Sequence, residues 1–258
     1  MTNIRSITLA ALLSGLVAAP AFAEDAAPAP TPEFTITGSA AVTSQYRFRG
    51  ISQSDNKPAV QAAFTVSHAS GFYVSFWGSS ASANNAVNIG GTEIDAYAGY
   101  AHTFKNGFTV DGGLYGYIYP GSGRAVGISE NYWEVYGDVS KAFGPVTAKV
   151  GVNWAPKQDY FTDWATSTRY SVYKYGELSL AVPNTALTVH SHLGHTAGGF
   201  NYFGNEYFDF SVGAGYKWKA LTFDLSVVGT DLKKGETGLG DPWRSAKTML
   251  VGTISASF

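Results

Sequence analysis

Arg47 and Arg49 stand two residues apart in the stretch S-Q-Y-R-F-R-G-I-S-Q. Alternate residues of an extended chain share a face, so the two guanidiniums and Gln45 point one way while Tyr46 and Phe48 point the other. Guanidiniums side by side need anionic partners or water, so this face lines something wet. There they would pair inward acids, pin a folded loop or touch a solute directly. Carboxylates recur with the same alternation at Glu93 and Asp95, at Asp111, at Glu134 and Asp138, and at Glu177, Asp209 and Asp224, with Lys149, Lys217 and Lys247 as further cations. His190 and His192 are spaced to approach one metal ion, but no third or fourth ligand is identifiable and no metal site is assigned. Ser191 and His195 take the opposite parity. They lie about 13 Å apart at strand rise, too far for a nucleophile and its base to bond without help from a neighbouring strand.

The elements that would position these groups are short runs of period-two alternation, and twelve are legible. They are Glu33 to Arg47, Pro58 to His68, Phe72 to Ser82, Thr92 to Phe104, Phe108 to Tyr119 and Asn131 to Phe143. The rest are Pro145 to Ala155, Arg169 to Val182, Ala186 to Thr196, Glu206 to Trp218, Leu221 to Thr230 and Ser245 to Phe258. Their connections alternate in length. Ser70-Gly71, Lys105-Asn106-Gly107, Gly144-Pro145, Pro183-Asn184-Thr185 and Lys219-Ala220 are hairpin turns, whereas Arg49 to Lys57, Ala83 to Gly91, Pro120 to Glu130, Pro156 to Thr168, Ala197 to Asn205 and Asp231 to Arg244 are longer. An up-and-down meander gathers the short turns at one end and the long loops at the other, the asymmetry of outer-membrane barrels.

Composition agrees. The chain of 258 residues has a formal charge of −2, no cysteine and 14% charged residues, which indicates neither a nucleic-acid footprint nor a disulfide framework. Arg5, the apolar run from Ile7 to Ala19 and Ala21-Phe22-Ala23 read as a cleaved signal peptide over residues 1–23, and Glu24 to Pro32 as a disordered Ala/Pro-rich leader. Residues 33–258 then form one all-β transmembrane antiparallel barrel of about twelve strands. Leu221, Phe223, Leu225 and Val227 alternate with Thr222, Asp224 and Ser226, giving one oily and one hydrated face. Aromatics gather at strand ends, with Phe34, Phe72, Phe104, Phe108, Phe143 and Trp218 near the short turns. Tyr46, Trp133, Trp154, Tyr170 and Phe208 lie near the long loops, as in two interfacial girdles. Lys174 is a misfit on the oily face unless its strand carries a bulge. Phe258, closing an amphipathic strand, is similar to the signal read by the outer-membrane assembly machinery, although Ala256 is smaller than the residue usual two places before it.

On these residues the stretch Ser44 to Gln61 resembles the opening signature of the TorF family, bacterial outer-membrane β-barrel proteins classed as porins and of largely undefined function. Ser44, Tyr46, the run Phe48-Arg49-Gly50-Ile51-Ser52-Gln53, Pro58 and Gln61 carry the likeness. It implies an outer-membrane barrel with a pore and supplies no substrate and no catalytic residue.

The expectation is a porin in the outer membrane of a Gram-negative bacterium, passing small hydrophilic solutes without a bound cofactor. Its wall would be lined by Arg47, Arg49 and Gln61, by the carboxylates above, by Lys149, His190 and His192, and by Tyr115, Tyr117 and Tyr119. Acids outnumber bases there, so a weak cation preference is expected. The alternatives are a non-conducting structural or adhesive barrel and, behind it, an outer-membrane lipid hydrolase using Ser191 and His195.

Overall fold

The computed structural model describes residues 32–82, 90–120, 131–158, 160, 170–199, 206–234 and 243–258. The signal-peptide residues, most of the leader and parts of the long loops lie outside the described residues. Twelve strands close into one antiparallel barrel. They are β1 (Phe34–Thr43), β4 (Ala59–His68), β5 (Phe72–Ser80), β6 (Thr92–Thr103), β7 (Phe108–Ile118) and β8 (Tyr132–Phe143), followed by β9 (Val146–Ala155), β10 (Ser171–Ala181), β11 (Leu187–Gly198), β12 (Tyr207–Trp218), β13 (Leu221–Thr230) and β14 (Met249–Ser257). Each pairs with its sequence neighbour in the wall, and β1 closes the ring against β14. Closure leaves no open edge, the condition for a sheet to cross a bilayer. A four-residue helix, α1 (Trp243–Ala246), precedes β14.

Side-chain parity follows the period-two pattern. Outward positions carry exposed apolar groups such as Ile36, Phe64, Leu114, Val150, Leu193 and Leu225. The expected girdles are present, with Phe34, Phe72, Phe143 and Trp218 exposed at the short-turn end and Trp133, Trp154, Tyr170 and Phe208 at the other. A continuous apolar exterior of this kind is unsuited to water and fits a lipid surround. Lys174 also faces outward, but not through a bulge: it sits in unbroken register opposite His195 and Val152. Lys247 precedes β14 instead of lining it, since that strand starts at Met249 and not at Ser245.

The inward face is not uniform. Around β5 to β8 the space is filled by Tyr73, Tyr97, Tyr115, Tyr117, Tyr132 and Tyr136, all 9% exposed or less. Tyr97 stacks on Tyr115 and Tyr117 on Tyr132, at ring separations of 4.6 and 4.2 Å. Inward glycines make room for such rings, and a side chain at Gly151 would collide with Tyr175. Across the bore, β1, β4, β13 and β14 present small groups, among them Ser39, Ala41, Ala63, Ser226 and Thr253.

The first strand departs from expectation. It ends at Thr43, not Arg47, and after Ser44 N–H donates to Gly252 C=O at 2.8 Å the chain turns into the barrel. Two short strands, β2 (Arg47–Phe48) and β3 (Ile51–Ser52), form a hairpin inside the lumen. The long connection expected over Arg49 to Lys57 therefore lies largely inside the barrel, with Arg49 to Ser54 buried. Tyr46, expected in the girdle, is buried at 2% exposure with its ring 5.2 Å from that of Trp77.

Candidate functional site: the hairpin in the bore

The backbone of Arg49 and Gly50 explains the hairpin. Both have positive φ, 47° and 78°, the pattern of a two-residue turn whose twist matches the flanking strands. Glycine adopts it freely, whereas an arginine there costs about 1–2 kcal/mol and needs compensation. Asp55 and Asn56 repeat the pattern at φ 55° and 56°, closed by Lys57 N–H to Ser54 C=O at 3.0 Å, and send the chain back to β4.

Arg47 organises the hairpin from within. It donates from Nη1 to Gly50 C=O at 2.6 Å, from Nε to Gln45 Oε1 at 2.9 Å and from Nη2 to Asn56 Oδ1 at 3.2 Å. Burial lowers its pKa to about 10. Arg49 instead crosses the bore. Its Nη2 reaches Glu134 Oε2 on β8 at 2.6 Å and Oε1 at 2.8 Å, while its guanidinium carbon lies 4.2 Å from the Tyr173 ring centre and 4.6 Å from that of Phe48. Burial alone would lower the Arg49 pKa, but the Glu134 carboxylate outweighs it and raises the group well above its ordinary value. Glu134 also accepts from Tyr117 Oη at 3.1 Å and Asn153 Nδ2 at 3.0 Å. The hairpin is seated on its other side by Ile51, clustered with Tyr207, Leu232 and Ala246.

Most of the expected lining residues face inward, but many are closed off from the bore. Tyr119 donates to Glu93, Tyr115 to Asp95, Tyr73 to Asp111, Tyr175 to Asp138 and Tyr173 to Asp209, at 2.8 to 3.4 Å. Inward acids that pair across strands and hold the wall together are a reading the sequence supports, but alternation does not identify tyrosines as the partners. Gln61 lies beside Ser79 at 3.4 Å. Lys149 stands 3.6 Å from Glu177 and 3.9 Å from Asp138. His190 pairs with Asp224 at 2.6 Å, and His192 lies 3.2 Å from both Asp209 and Glu177. Each imidazole thus has its own carboxylate, and the two do not converge on a common ligand set.

Two cavities of about 90 and 130 Å³ meet the hairpin. The first is bounded by Phe48, Arg49, Tyr173, Glu177 and His192, the second by Gln45, Tyr46, Gln61, His190 and Asp224. Arg47 belongs to both. The Ser191 and His195 pair is not assembled. Ser191 sits between Leu178 and Val212, and His195 lies 3.5 Å from Glu206.

The family defined as "Bacterial protein of unknown function (Gcw_chp)" matches residues 26–258. The chain belongs to that family. No curated protein sequence matches it. Among solved structures, the KdgM porin aligns with a TM-score of 0.57 at 13% identity, over 86% of this chain and 99% of that one. The NanC porin aligns at 0.55 and 12%, over 87% and 99%. The COG4313 outer membrane channel from Pseudomonas putida F1 aligns at 0.51 and 14%, over 88% and 96%. At these identities the likeness shows the fold: this family member has the closed twelve-strand barrel found in outer-membrane porins and channels.

Proposed function

We propose that this protein is an outer-membrane porin in a Gram-negative bacterium, exported by its signal peptide, and that it passes small hydrophilic solutes by diffusion. The observation that carries the reading is a barrel oily outside and polar inside, with two cavities meeting at Arg47 beside an inserted hairpin. The TorF resemblance of Ser44 to Gln61 points the same way, and in this reading that stretch is the constriction. One structural neighbour was solved as a "KdgM porin in complex with disordered oligogalacturonate", so a barrel of similar fold holds a hydrophilic oligosaccharide.

The cation preference in this proposal is weak and rests on few groups, because tyrosines and Arg49 engage most acids. Glu177 and Asp224 keep side-chain exposures of 35% and 14%, against 10% for Lys149. Reversal potentials across a salt gradient test it, and anion preference overturns it. The reading involves no bound cofactor and no catalysis; its partners are lipid, solutes and the assembly machinery at the strand ending in Phe258.

Channel currents from the protein in planar bilayers test the main proposal. A non-conducting barrel is the second reading, favoured by the tyrosine-filled half and the hairpin across the bore. A folded protein that never yields current steps would decide for it.

A further inference from the structure

Arg49 lies at Glu134 as a ligand lies in a receptor. The carboxylate is fully buried and pre-oriented by donors from Tyr117 and Asn153, and the Tyr173 ring supplies a face for a flat cation. The fit of the tethered group is imperfect in two respects. One nitrogen, Nη2, makes both contacts to Glu134, instead of the two parallel N–H bonds that a guanidinium and a carboxylate can form. The arm reaches the site from a backbone held at φ 47°, a conformation arginine adopts only at a cost.

Two further acceptors, on residues that line the same cavity, have no hydrogen-bond partner among the described residues. Asn153 is 3% exposed, and because its Nδ2 donates to Glu134, its free atom is the carbonyl Oδ1. Asp209 is 2% exposed, with Oδ1 bonded to Tyr173 and Oδ2 free. A buried carboxylate, an aromatic face and two unused acceptors favour a planar cation rich in N–H groups. The cavity itself is mixed in charge, with Asp209 and Glu177 set against Arg47, Arg49 and His192, so the preference for a cation comes from Glu134, the carboxylate that Arg49 covers.

We infer that the Glu134–Tyr173 site is a recognition site for a guanidinium-bearing solute, occupied in this structure by Arg49 as a tethered competitor that the solute displaces. This rests on the porin reading and deepens it. A free guanidinium would form the paired bonds the tether does not, and release of Arg49 would remove one anchor of the hairpin. The solute would then loosen the constriction through which it passes.

The test uses the full mature protein refolded in detergent, with methylguanidinium as probe and methylammonium and sodium as controls. In Arg49→Ala, methylguanidinium should raise the urea midpoint saturably, with an apparent affinity at least about tenfold above wild type, because the internal competitor is gone. Methylammonium and sodium should do neither. If Arg49→Ala folds only when methylguanidinium is present, the site is likewise supported; if it folds under neither condition, the inference is overturned. Glu134→Gln in the Arg49→Ala background removes the stranded charge and should abolish the response. A response that survives in that double variant, or one that methylammonium matches, overturns the inference.

None of these readouts requires conduction, so the two readings fail separately. Current steps from wild type with an Arg49→Ala protein indifferent to methylguanidinium would refute the site alone. Saturable binding without current at any probe concentration would refute the pore and leave the site standing.

Discussion

Gly38 and Phe258 close the barrel by exchanging both backbone hydrogen bonds, Gly38 N–H to Phe258 C=O at 2.9 Å and Phe258 N–H to Gly38 C=O at 3.0 Å. The Phe258 ring lies where a side chain at residue 38 would project, with Cε2 2.7 Å from the position of an added Cβ. Glycine thus lets the exposed Phe258 ring lie flat on the β1–β14 seam, and a side chain at residue 38 has to push that ring aside. Gly38→Leu should displace the ring and strand the closing pair, reducing the fraction of protein that folds. Heat-modifiable gel mobility after refolding measures this, and an unchanged folded fraction would refute the role given to the contact.

Gly50→Ala addresses the hairpin. An alanine Cβ there would lie 2.6 Å from Thr230 Cγ2, 2.7 Å from Gly229 O and 2.8 Å from Asp209 Cβ, on a backbone at φ 78°. Strain of about 1–2 kcal/mol and overpacking of about 1–3 kcal/mol exceed what a short hairpin can absorb. Residues 45–53 should exchange amide hydrogens faster while the wall strands stay protected. Equal protection of the hairpin in the variant would contradict its seating against β12 and β13.

How far the sequence carried this structure depends on the range of the interactions. Alternation and turn length are local, so the twelve strands and the short hairpin turns were readable to within a few residues, and so were nearly all the girdle aromatics. The inserted hairpin was not, because Ser44 to Arg49 continues the same period-two rhythm as β1 while leaving the wall. Its anchor, Glu134, lies 85 residues away. Two local clues, Arg49-Gly50 and Asp55-Asn56 as paired turn residues, were visible but read equally well as an exposed loop. The acids were legible as inward charges. Their tyrosine partners were not, because the pairs join different strands, as with Tyr73 on β5 and Asp111 on β7.

Those pairs carry stability. Tyr115→Phe removes the 2.8 Å donation to Asp95, a group 1% exposed, and should cost about 1–3 kcal/mol with no change in the fold. Urea titration of the barrel in vesicles gives the number, and a loss near zero would mean that Asp95 does not depend on that hydroxyl.

Lys174 reports on the lipid boundary. It faces outward three residues into β10, and an outward lysine costs about 2–4 kcal/mol at the bilayer midplane, falling to about 0–1 near the interface. Lys174→Leu should therefore leave stability in lipid vesicles unchanged or raise it by up to about 1 kcal/mol. A clear loss would show that the side chain is bound to a partner.

A bore that conducts past an inserted hairpin should be visible in planar-bilayer recordings of the refolded mature barrel. Wild-type protein should give discrete steps, and Gly50→Ala larger ones as the hairpin withdraws. Folded protein without steps in either form would contradict the account.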